Sequence, residues 1–163
     1  MKTHEEGSFA VMAAIRSPNF LLLIQNILDP SLFWKFIGET SKVGELPLHT
    51  LVRGVWEEGG LCIRAVYDEL GVITDIGDSS LWVSSVRPPI TLHNFLTGNF
   101  YEQYFYQIKM PDERLLDLSG KRFDGADKDE LFETRAFPIR DVSYMKDFLP
   151  HHLSLFSELL RTA

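Results

Sequence analysis

The sequence predicts an α/β (α+β) fold in which a mixed β-sheet packs between helices. Strand-like and helix-like segments follow one another in the order strands, helix, strands, helix, as expected when helices cover a sheet. The chain has 163 residues, of which 45% are hydrophobic and 24% are charged, and these values are typical of a globular protein with a buried core. Because no repeat or linker interrupts the chain, we expect one domain over residues 1–163.

The first predicted element is a β-hairpin from Ser8 to Asn26. Two apolar runs of strand length, residues 9–15 and 20–24, flank the turn-forming residues 16–19. Both runs are apolar throughout, so we expect both faces of these strands to be covered. A polar stretch, Gly38 to Glu45, is then predicted to be a loop.

The clearest helix candidate begins at Pro47, because proline suits the first helical position. Gly59-Gly60 offers a glycine for the left-handed residue that ends many helices. Between these points, apolar residues recur at the i, i+3, i+4 and i+7 spacing of one buried helical face, at Leu48, Leu51, Val52 and Val55.

The remaining segments are predicted from composition and turn signals. Residues 71–80 are predicted to form a turn, and residues 111–130 a charged excursion with several turn residues. Pro88-Pro89 excludes a central strand at that point. Residues 148–161 are predicted to form an amphipathic helix, with apolar positions at 149, 153, 156, 159 and 160. The predicted strands are Leu61–Tyr67, Leu81–Val86, Gln103–Met110 and Phe132–Ile139.

Charge and cysteine content exclude several classes of function. The net charge is −7, so we expect no nucleic acid polymer as a partner. The single cysteine, Cys62, excludes an internal disulfide framework and a cysteine-rich metal site, and we expect it to be a small core residue. The start of the chain is polar and no run approaches about 18 apolar residues, so we expect a cytoplasmic protein that does not enter a membrane.

Glu57 and Glu58 occupy an unfavourable place at the end of the predicted helix. Each acid lies at the negative end of the helix dipole, at a cost of about 0.3–1 kcal/mol. Arg53 lies four residues earlier and relieves part of this repulsion. A bound Mg²⁺, which takes carboxylate oxygens and substrate phosphates as ligands, would relieve more. The alternative is an acidic pair that is simply solvated.

The spacing around this acidic pair resembles the signature of the Nudix hydrolase family, G-x5-E-x7-R-E-U-x-E-E-x-G-U, in which U is a bulky aliphatic residue. The matching positions are Glu45, Arg53, Val55, Glu57, Glu58, Gly60 and Leu61. More loosely, Trp34 to Glu39 resembles the family's W-x-x-P-G-G lead-in, and Glu130 to Pro138 resembles its late strand. The resemblance therefore covers most of the chain and implies a Nudix-type α/β/α sandwich.

Three positions depart from the family's pattern. Glu39 stands where the signature begins with glycine, with the adjacent Gly38 as an alternative glycine after a small shift, and Ile37 stands where the lead-in has proline. Gly54 stands where the signature has a further glutamate, on the helical face that Glu57 and Glu58 share. Since glycine inside a helix costs about 1 kcal/mol relative to alanine, position 54 gives up both a ligand and helix stability.

The resemblance implies metal-assisted attack of water on a diphosphate linkage, with a nucleoside diphosphate derivative as the small-molecule substrate. It implies Glu57 and Glu58 as ligands of Mg²⁺ or Mn²⁺, and an ion pair between Arg53 and Glu45 that orients them. Because a late loop of the family often supplies a further acid, the candidates for an additional metal ligand are Glu130 and Glu133.

The departures leave a second hypothesis open, a Nudix-fold module that binds a nucleotide-like ligand or a partner without hydrolysing it. The two hypotheses differ in whether another carboxylate reaches the space left at Gly54. The choice between Mg²⁺ and Mn²⁺ and the formation of a homo-oligomer stay open at this point.

Overall fold

The structure, a computed structural model, describes residues 9–70, 72–125 and 127–162. Residues 1–8, with the polar start of the chain and the first residue of the predicted hairpin, lie outside the described residues, as does Gly71 of the predicted turn. The strands are β1 (Phe9–Arg16), β2 (Phe20–Asn26), β3 (Trp34–Lys35), β4 (Ile37–Thr40), β5 (Ala65–Tyr67), β6 (Ile73–Ile76), β7 (Trp82–His93), β8 (Phe100–Lys109), β9 (Arg122–Asp124) and β10 (Leu131–Pro138). The helices are α1 (Pro47–Gly59), α2 (Asp112–Asp117), α3 (Ile139–Val142) and α4 (Leu153–Leu160).

Strand β1 organises the main sheet because it pairs along both of its edges. It runs parallel to β8 over its whole length. On the other edge it is antiparallel to β2 next to the hairpin turn, and antiparallel to β4 from Ala10–Thr40 to Ala13–Ile37. The described strands β7, β8, β1, β2, β10 and β9 follow in that order, with β3 on β2 and β4 on β1, while β5 and β6 pair separately.

Side chains alternate across the sheet and so build two clusters of buried residues on its opposite faces. One face, which we call the α1 face, is covered by α1 and α2. Its cluster includes Val11, Ala13, Ile15, Ile37, Leu51, Val55, Leu115 and Phe132. The other face, which we call the aromatic face, is covered by α3 and α4. Its cluster includes Met12, Ala14, Trp34, Phe36, Phe105, Val142, Phe148 and Phe156. Helices on both faces of a sheet with parallel and antiparallel pairs confirm the predicted fold class.

The predicted hairpin and the first predicted helix are confirmed. Strands β1 and β2 pair antiparallel and are buried over most of their length. Helix α1 begins at Pro47, and His49 Nδ1 accepts a hydrogen bond from the backbone N–H of Leu46 at 3.3 Å. Gly60 ends α1 with a φ of 70°, the left-handed conformation that the glycine pair predicts.

Three predicted segments and one predicted core residue differ from the structure. The predicted loop Gly38 to Glu45 contains most of β4, which is buried although its sequence is polar. The predicted turn 71–80 contains β6, and the predicted excursion 111–130 contains both α2 and β9. Cys62 is exposed rather than in the core. In the three segments, pairing or packing against distant residues overrides a local signal.

The C-terminal helix is shorter than predicted. Helix α4 begins at Leu153, after a 3₁₀ turn at 150–152, and buries Leu155, Phe156 and Leu159. Leu153 and Leu160, predicted on the apolar side, are 47% and 53% exposed.

The two remaining differences concern strands. Strand β5 occupies only the end of the predicted strand 61–67. Strand β7 extends past the predicted end at Val86 and through Pro88-Pro89. It lies at the edge of the sheet, with register shifts on both sides of Arg87, so the prediction that these prolines exclude a central strand is confirmed. No helix of the described residues is long and apolar enough to cross a membrane.

Candidate active site

The end of helix α1 that carries Glu57 and Glu58 is packed tightly against β9. Gly60 donates its backbone N–H to the carbonyl of Trp56 at 3.1 Å and turns the chain out of the helix. Phe123 of β9 lies so close that a Cβ on Gly60 would be 2.2 Å from the Phe123 Cζ atom. The acidic end of the helix is therefore held in place by a contact that glycine alone allows.

Arg53 and Glu45 form a bidentate ion pair. Arg53 Nε and Nη2 donate to the two Glu45 carboxylate oxygens at 2.8 and 2.9 Å. Glu45 also accepts hydrogen bonds from the backbone N–H of Lys42 at 2.7 Å and from the Thr50 hydroxyl at 3.0 Å. Burial opposes ionisation of Glu45, but the hydrogen bonds, led by those from Arg53, lower its pKa to about 2. Glu45 is therefore an anion that fixes the Arg53 guanidinium.

The other side of the same guanidinium contacts two further carboxylates. Arg53 Nη1 lies 3.3 Å from Glu39 Oε2 and 3.4 Å from Glu57 Oε2. Nη2 also donates to the backbone carbonyl of Thr40 at 2.7 Å, which joins α1 to β4. The hydrogen bonds with Glu45, supported by the charges of all three acids and opposed by burial, raise the pKa of Arg53. Arg53 is thus a permanent cation between three acids.

Glu39 extends into this cluster from strand β4, opposite Gly54 of α1, which has no side chain. Glu39 is 5% exposed and packs against Gly54. A Cβ on Gly54 would lie 2.9 Å from the Cβ of Glu39 and 3.4 Å from its Cγ. Because the Cβ of Glu39 is fixed to the backbone, it cannot turn away, and glycine at position 54 is what lets the helix approach the strand.

The pKa of the Glu57 carboxyl is raised above its usual value. Burial raises its pKa most, the charge of Glu39 and a hydrogen bond between the two carboxyls raise it further, and the charge of Arg53 opposes both. The side chain of Glu57 is 30% exposed, so it lies at the mouth of the cluster. The space between Glu39 and Glu57 therefore favours an added positive charge.

Glu58 is the deeper member of the acidic pair. It is 3% exposed and lies on the buried face of α1, with Leu51 and Val55. Burying a carboxylate is costly unless a cation or hydrogen bonds compensate. The Glu58 carboxylate lies in the core beside the half-buried Glu57, where it depends on such compensation.

The structure does not bring Glu133 to the acids of α1. Phe132 faces the α1 cluster, so its neighbour Glu133 in β10 points to the opposite face of the sheet. There it pairs with Arg122 at 3.4 Å and with Arg135 at 3.7 Å. Of the two late acids that the family resemblance singles out, Glu133 is therefore the one that the geometry disfavours.

Glu130 lies in the loop between β9 and β10. Its Oε1 accepts a hydrogen bond from the backbone N–H of Asp127 at 3.2 Å, which closes that loop. Because β9 contacts the end of α1, Glu130 is on the same side of the molecule as the acidic pair. Of Glu130 and Glu133, Glu130 therefore remains the candidate for an additional metal ligand.

The donor chemistry of this cluster fits a hard divalent cation. Its side chains offer carboxylate oxygens, which Mg²⁺ and Mn²⁺ prefer. Within the described ranges 9–70, 72–125 and 127–162, no group of three Asp, Glu, His or Cys side chains already surrounds a point that could hold a metal ion. Arg53 contacts Glu57 at 3.4 Å, longer than its bonds to Glu45, so Glu57 can exchange this contact for a cation.

Sequence reasoning missed Glu39 because it lies in a segment predicted to be a loop. A usable signal was present. Glu39 and Gly54 are the two departures inside the signature, and they are reciprocal, with glutamate in place of glycine at one and glycine in place of glutamate at the other.

Comparison with known proteins shows which fold this is. No protein-family model and no curated protein matches the sequence. Solved structures do match over nearly the whole chain. A Nudix hydrolase from Nitrosomonas europaea superposes with a TM-score of 0.59 at 13% identity, covering 94% of this chain and 88% of that one.

Two other matches have known ligands or activities. The Nudix domain of NrtR from Shewanella oneidensis, solved in complex with ADP-ribose, superposes with a TM-score of 0.58 at 14% identity, covering 97% of this chain and 87% of that one. The dihydroneopterin triphosphate pyrophosphohydrolase of E. coli superposes with a TM-score of 0.59 at 12% identity, covering 97% and 98%. The chain therefore has the Nudix fold.

Proposed function

We propose that this protein is a divalent-metal-dependent hydrolase that cleaves a diphosphate linkage in a nucleoside diphosphate derivative. The observation that carries the proposal is the cluster of acids around Arg53 at the end of α1. Glu57 lies at its mouth, Glu58 lies beneath, and Arg53 is fixed by a bidentate pair with Glu45.

In this mechanism Glu57 and Glu58 hold Mg²⁺ or Mn²⁺, with Glu130 as a further candidate ligand. The cation, when bound, supplies charge neutralisation for the diphosphate and a lowered pKa for an attacking water. Arg53 orients Glu57 through its Nη1 atom, and Glu45 holds the guanidinium in place. These are positioning roles, because neither residue has to touch the reacting atoms.

The substrate class is supported by the neighbouring cleft and by related folds. A cleft of about 280 Å³ opens beside β4, and its lining includes Lys35, Glu39, Tyr101 and Gln103. The similar structures include one solved with ADP-ribose and one that is a pyrophosphohydrolase of dihydroneopterin triphosphate. A small nucleotide-like molecule in the cytoplasm, rather than a nucleic acid polymer, agrees with the net charge of −7.

The second candidate function is binding without hydrolysis. The observation that favours it is that Arg53 already occupies the position between Glu39 and Glu57, and that position 54 carries no carboxylate. In this case a nucleotide-like ligand would bind near the same cleft, and its diphosphate would not be cleaved.

The experiment is a hydrolysis assay on a panel of nucleoside diphosphate derivatives, with Mg²⁺ and with Mn²⁺, followed by release of phosphate or nucleotide. Glu58→Gln removes one charge at nearly constant size. We expect turnover to fall by more than about 100-fold, since loss of even an outer-shell partner costs about 10- to 100-fold. Glu113→Gln is the matched control, because Glu113 is an exposed acid on α2.

The outcomes separate the two functions. Metal-dependent turnover that Glu58→Gln loses and Glu113→Gln keeps would support the hydrolase. Turnover by folded Glu58→Gln at the wild-type rate would remove Glu58 from its proposed role. A folded wild-type protein that binds members of the panel but releases no product would support the binding function.

A further inference from the structure

Positions 39 and 54 carry a reciprocal exchange, and the structure places them in contact. The chain has glutamate at 39 and glycine at 54, while the signature that it resembles has glycine first and glutamate second. A Cβ built on Gly54 falls 2.9 Å from the Cβ of Glu39. The two departures therefore meet at one point between α1 and β4.

We propose that Glu39 supplies, from strand β4, the metal-binding carboxylate that helix α1 lacks at Gly54. This assignment rests on the proposed function and deepens it, because it adds a ligand to the set formed by Glu57 and Glu58.

The contact at 2.9 Å makes the two arrangements mutually exclusive. Any residue at 39 other than glycine has a Cβ at that place, so a side chain at 54 requires glycine at 39. Conversely, glycine at 54 leaves the space into which the side chain of Glu39 extends. In either arrangement the space between α1 and β4 holds one acidic side chain, which comes from position 39 in one case and from position 54 in the other.

The carboxylate of Glu39 ends beside that of Glu57. Both lie against the same atom, Arg53 Nη1, at 3.3 and 3.4 Å. The other oxygen of Glu39 accepts a hydrogen bond from the backbone N–H of Thr40 at 3.1 Å, which holds the carboxylate in this orientation. A cation that binds Glu57 at this point therefore meets Glu39 as well.

A purely structural role as a partner of Arg53 explains Glu39 less well. Arg53 already has a bidentate partner in Glu45 and a backbone carbonyl acceptor in Thr40. With Glu45 and Glu57 already beside this guanidinium, Glu39 is a third acid, and a structural role alone does not require a third carboxylate with a side chain only 4% exposed.

The test measures Mn²⁺ affinity, from the EPR signal of the unbound ion, and the rise in melting temperature that Mn²⁺ causes. Four variants are compared with the wild type. Glu39→Gln keeps the shape and removes the charge. Glu39→Gly opens the space, and Glu39→Gly with Gly54→Glu moves the acid to the helix. Glu39→Gly with Gly54→Ala is the matched control, because it fills the space without a carboxylate.

We expect Glu39→Gln and Glu39→Gly to weaken Mn²⁺ binding by at least about tenfold, the lower end of what loss of an outer-shell partner costs. The double variant with Gly54→Glu is expected to recover most of the affinity, and the double variant with Gly54→Ala is expected to recover none. The thermal shift caused by Mn²⁺ should follow the same order. Turnover of any substrate is a secondary readout.

Wild-type Mn²⁺ affinity in folded Glu39→Gln would overturn the assignment and leave the proposed function standing. Equal recovery in the two double variants would also overturn it, because space rather than charge would then be restored. A wild-type protein that binds no Mn²⁺ would overturn both the assignment and the proposed function.

Discussion

The two faces of the sheet bury different kinds of side chain. The aromatic face packs rings against one another, with Phe36 5.6 Å from Phe105 and 5.8 Å from Phe148 between ring centroids. The α1 face instead brings Glu39, Arg53 and Glu58 into or near the core.

Both faces bury an apolar cluster, and the α1 face adds charged side chains to it. Apolar burial contributes about 25 cal/mol per Å², whereas buried charges recover their desolvation cost only with good partners. We therefore expect apolar substitutions on the aromatic face to change the free energy of unfolding without changing metal binding, and we expect the acids of the α1 face to govern metal binding. Three measurements test this division, from the largest expected effect to the smallest.

Phe36→Ala should give the largest loss of stability. Phe36 is fully buried, and removal of a core phenylalanine costs about 3–5 kcal/mol in the free energy of unfolding. Urea unfolding measures the loss, and Mn²⁺ affinity is measured on the remaining folded protein. Mn²⁺ affinity should stay at the wild-type value, because the Phe36 ring packs against Phe105 and Phe148 rather than against the carboxylates. A matching loss of affinity in the folded state would break the proposed division.

Acidification should weaken the two faces in different pH ranges. Burial, followed by the positive charges of Lys35 and His151, lowers the pKa of His152 from 6.5 to about 4. Neutral His152 accepts a hydrogen bond from the backbone N–H of Phe36 at 3.1 Å. The stability that the neutral His152 ring contributes, about 3 kcal/mol, is complete above pH 6.5 and is lost as the pH falls toward 4. Glu45, with a pKa lowered from 4.5 to about 2, contributes above pH 4.5 and loses its contribution only as the pH falls toward 2.

The measurement is urea unfolding of wild type and His152→Phe at a series of pH values. Phenylalanine keeps the stacking on Phe36 and removes the titrating ring. The difference between the two proteins should shrink as the pH falls from 6.5 to 4. Glu57, whose raised pKa acts in the opposite direction, is present in both proteins and cancels. A constant difference across this range would show that His152 is not held neutral by the fold.

Glu133→Gln should have the smallest effect. Glu133 pairs with the exposed residues Arg122 and Arg135 on the face away from α1, so its loss should change the free energy of unfolding by less than about 0.5 kcal/mol. Mn²⁺ affinity should not change. A clear loss of affinity would place Glu133 at the metal after all and remove the separation between the faces.

Elements that depend mainly on interactions between nearby residues were predicted correctly from local sequence patterns. Pro47, the apolar spacing of α1 and Gly60 sufficed for the first helix, because capping and amphipathicity are properties of nearby residues. The hairpin of β1 and β2 followed from two apolar runs and a turn for the same reason.

Segments whose partners are distant were predicted less well. Strand β4 has a polar sequence, and it is a strand because it pairs with β1, some 25 residues away in the chain. The same pairing positions Glu39 against Gly54, so this part of the site was out of reach of single-segment reasoning. The pattern of the acidic pair, in contrast, was visible in the sequence because both acids lie on one helix.

The steric exclusion between positions 39 and 54 also constrains how such a site can evolve. Glutamate at both positions would force Cβ atoms to within 2.9 Å, whereas glycine at both leaves the backbone undisturbed. A lineage that moves the acid from helix to strand one substitution at a time must therefore pass through an intermediate with two glycines, which avoids the steric clash but has temporarily lost one carboxylate. The effect of either substitution depends on the other, so the order in which the mutations arise is set by the geometry of one helix–strand contact.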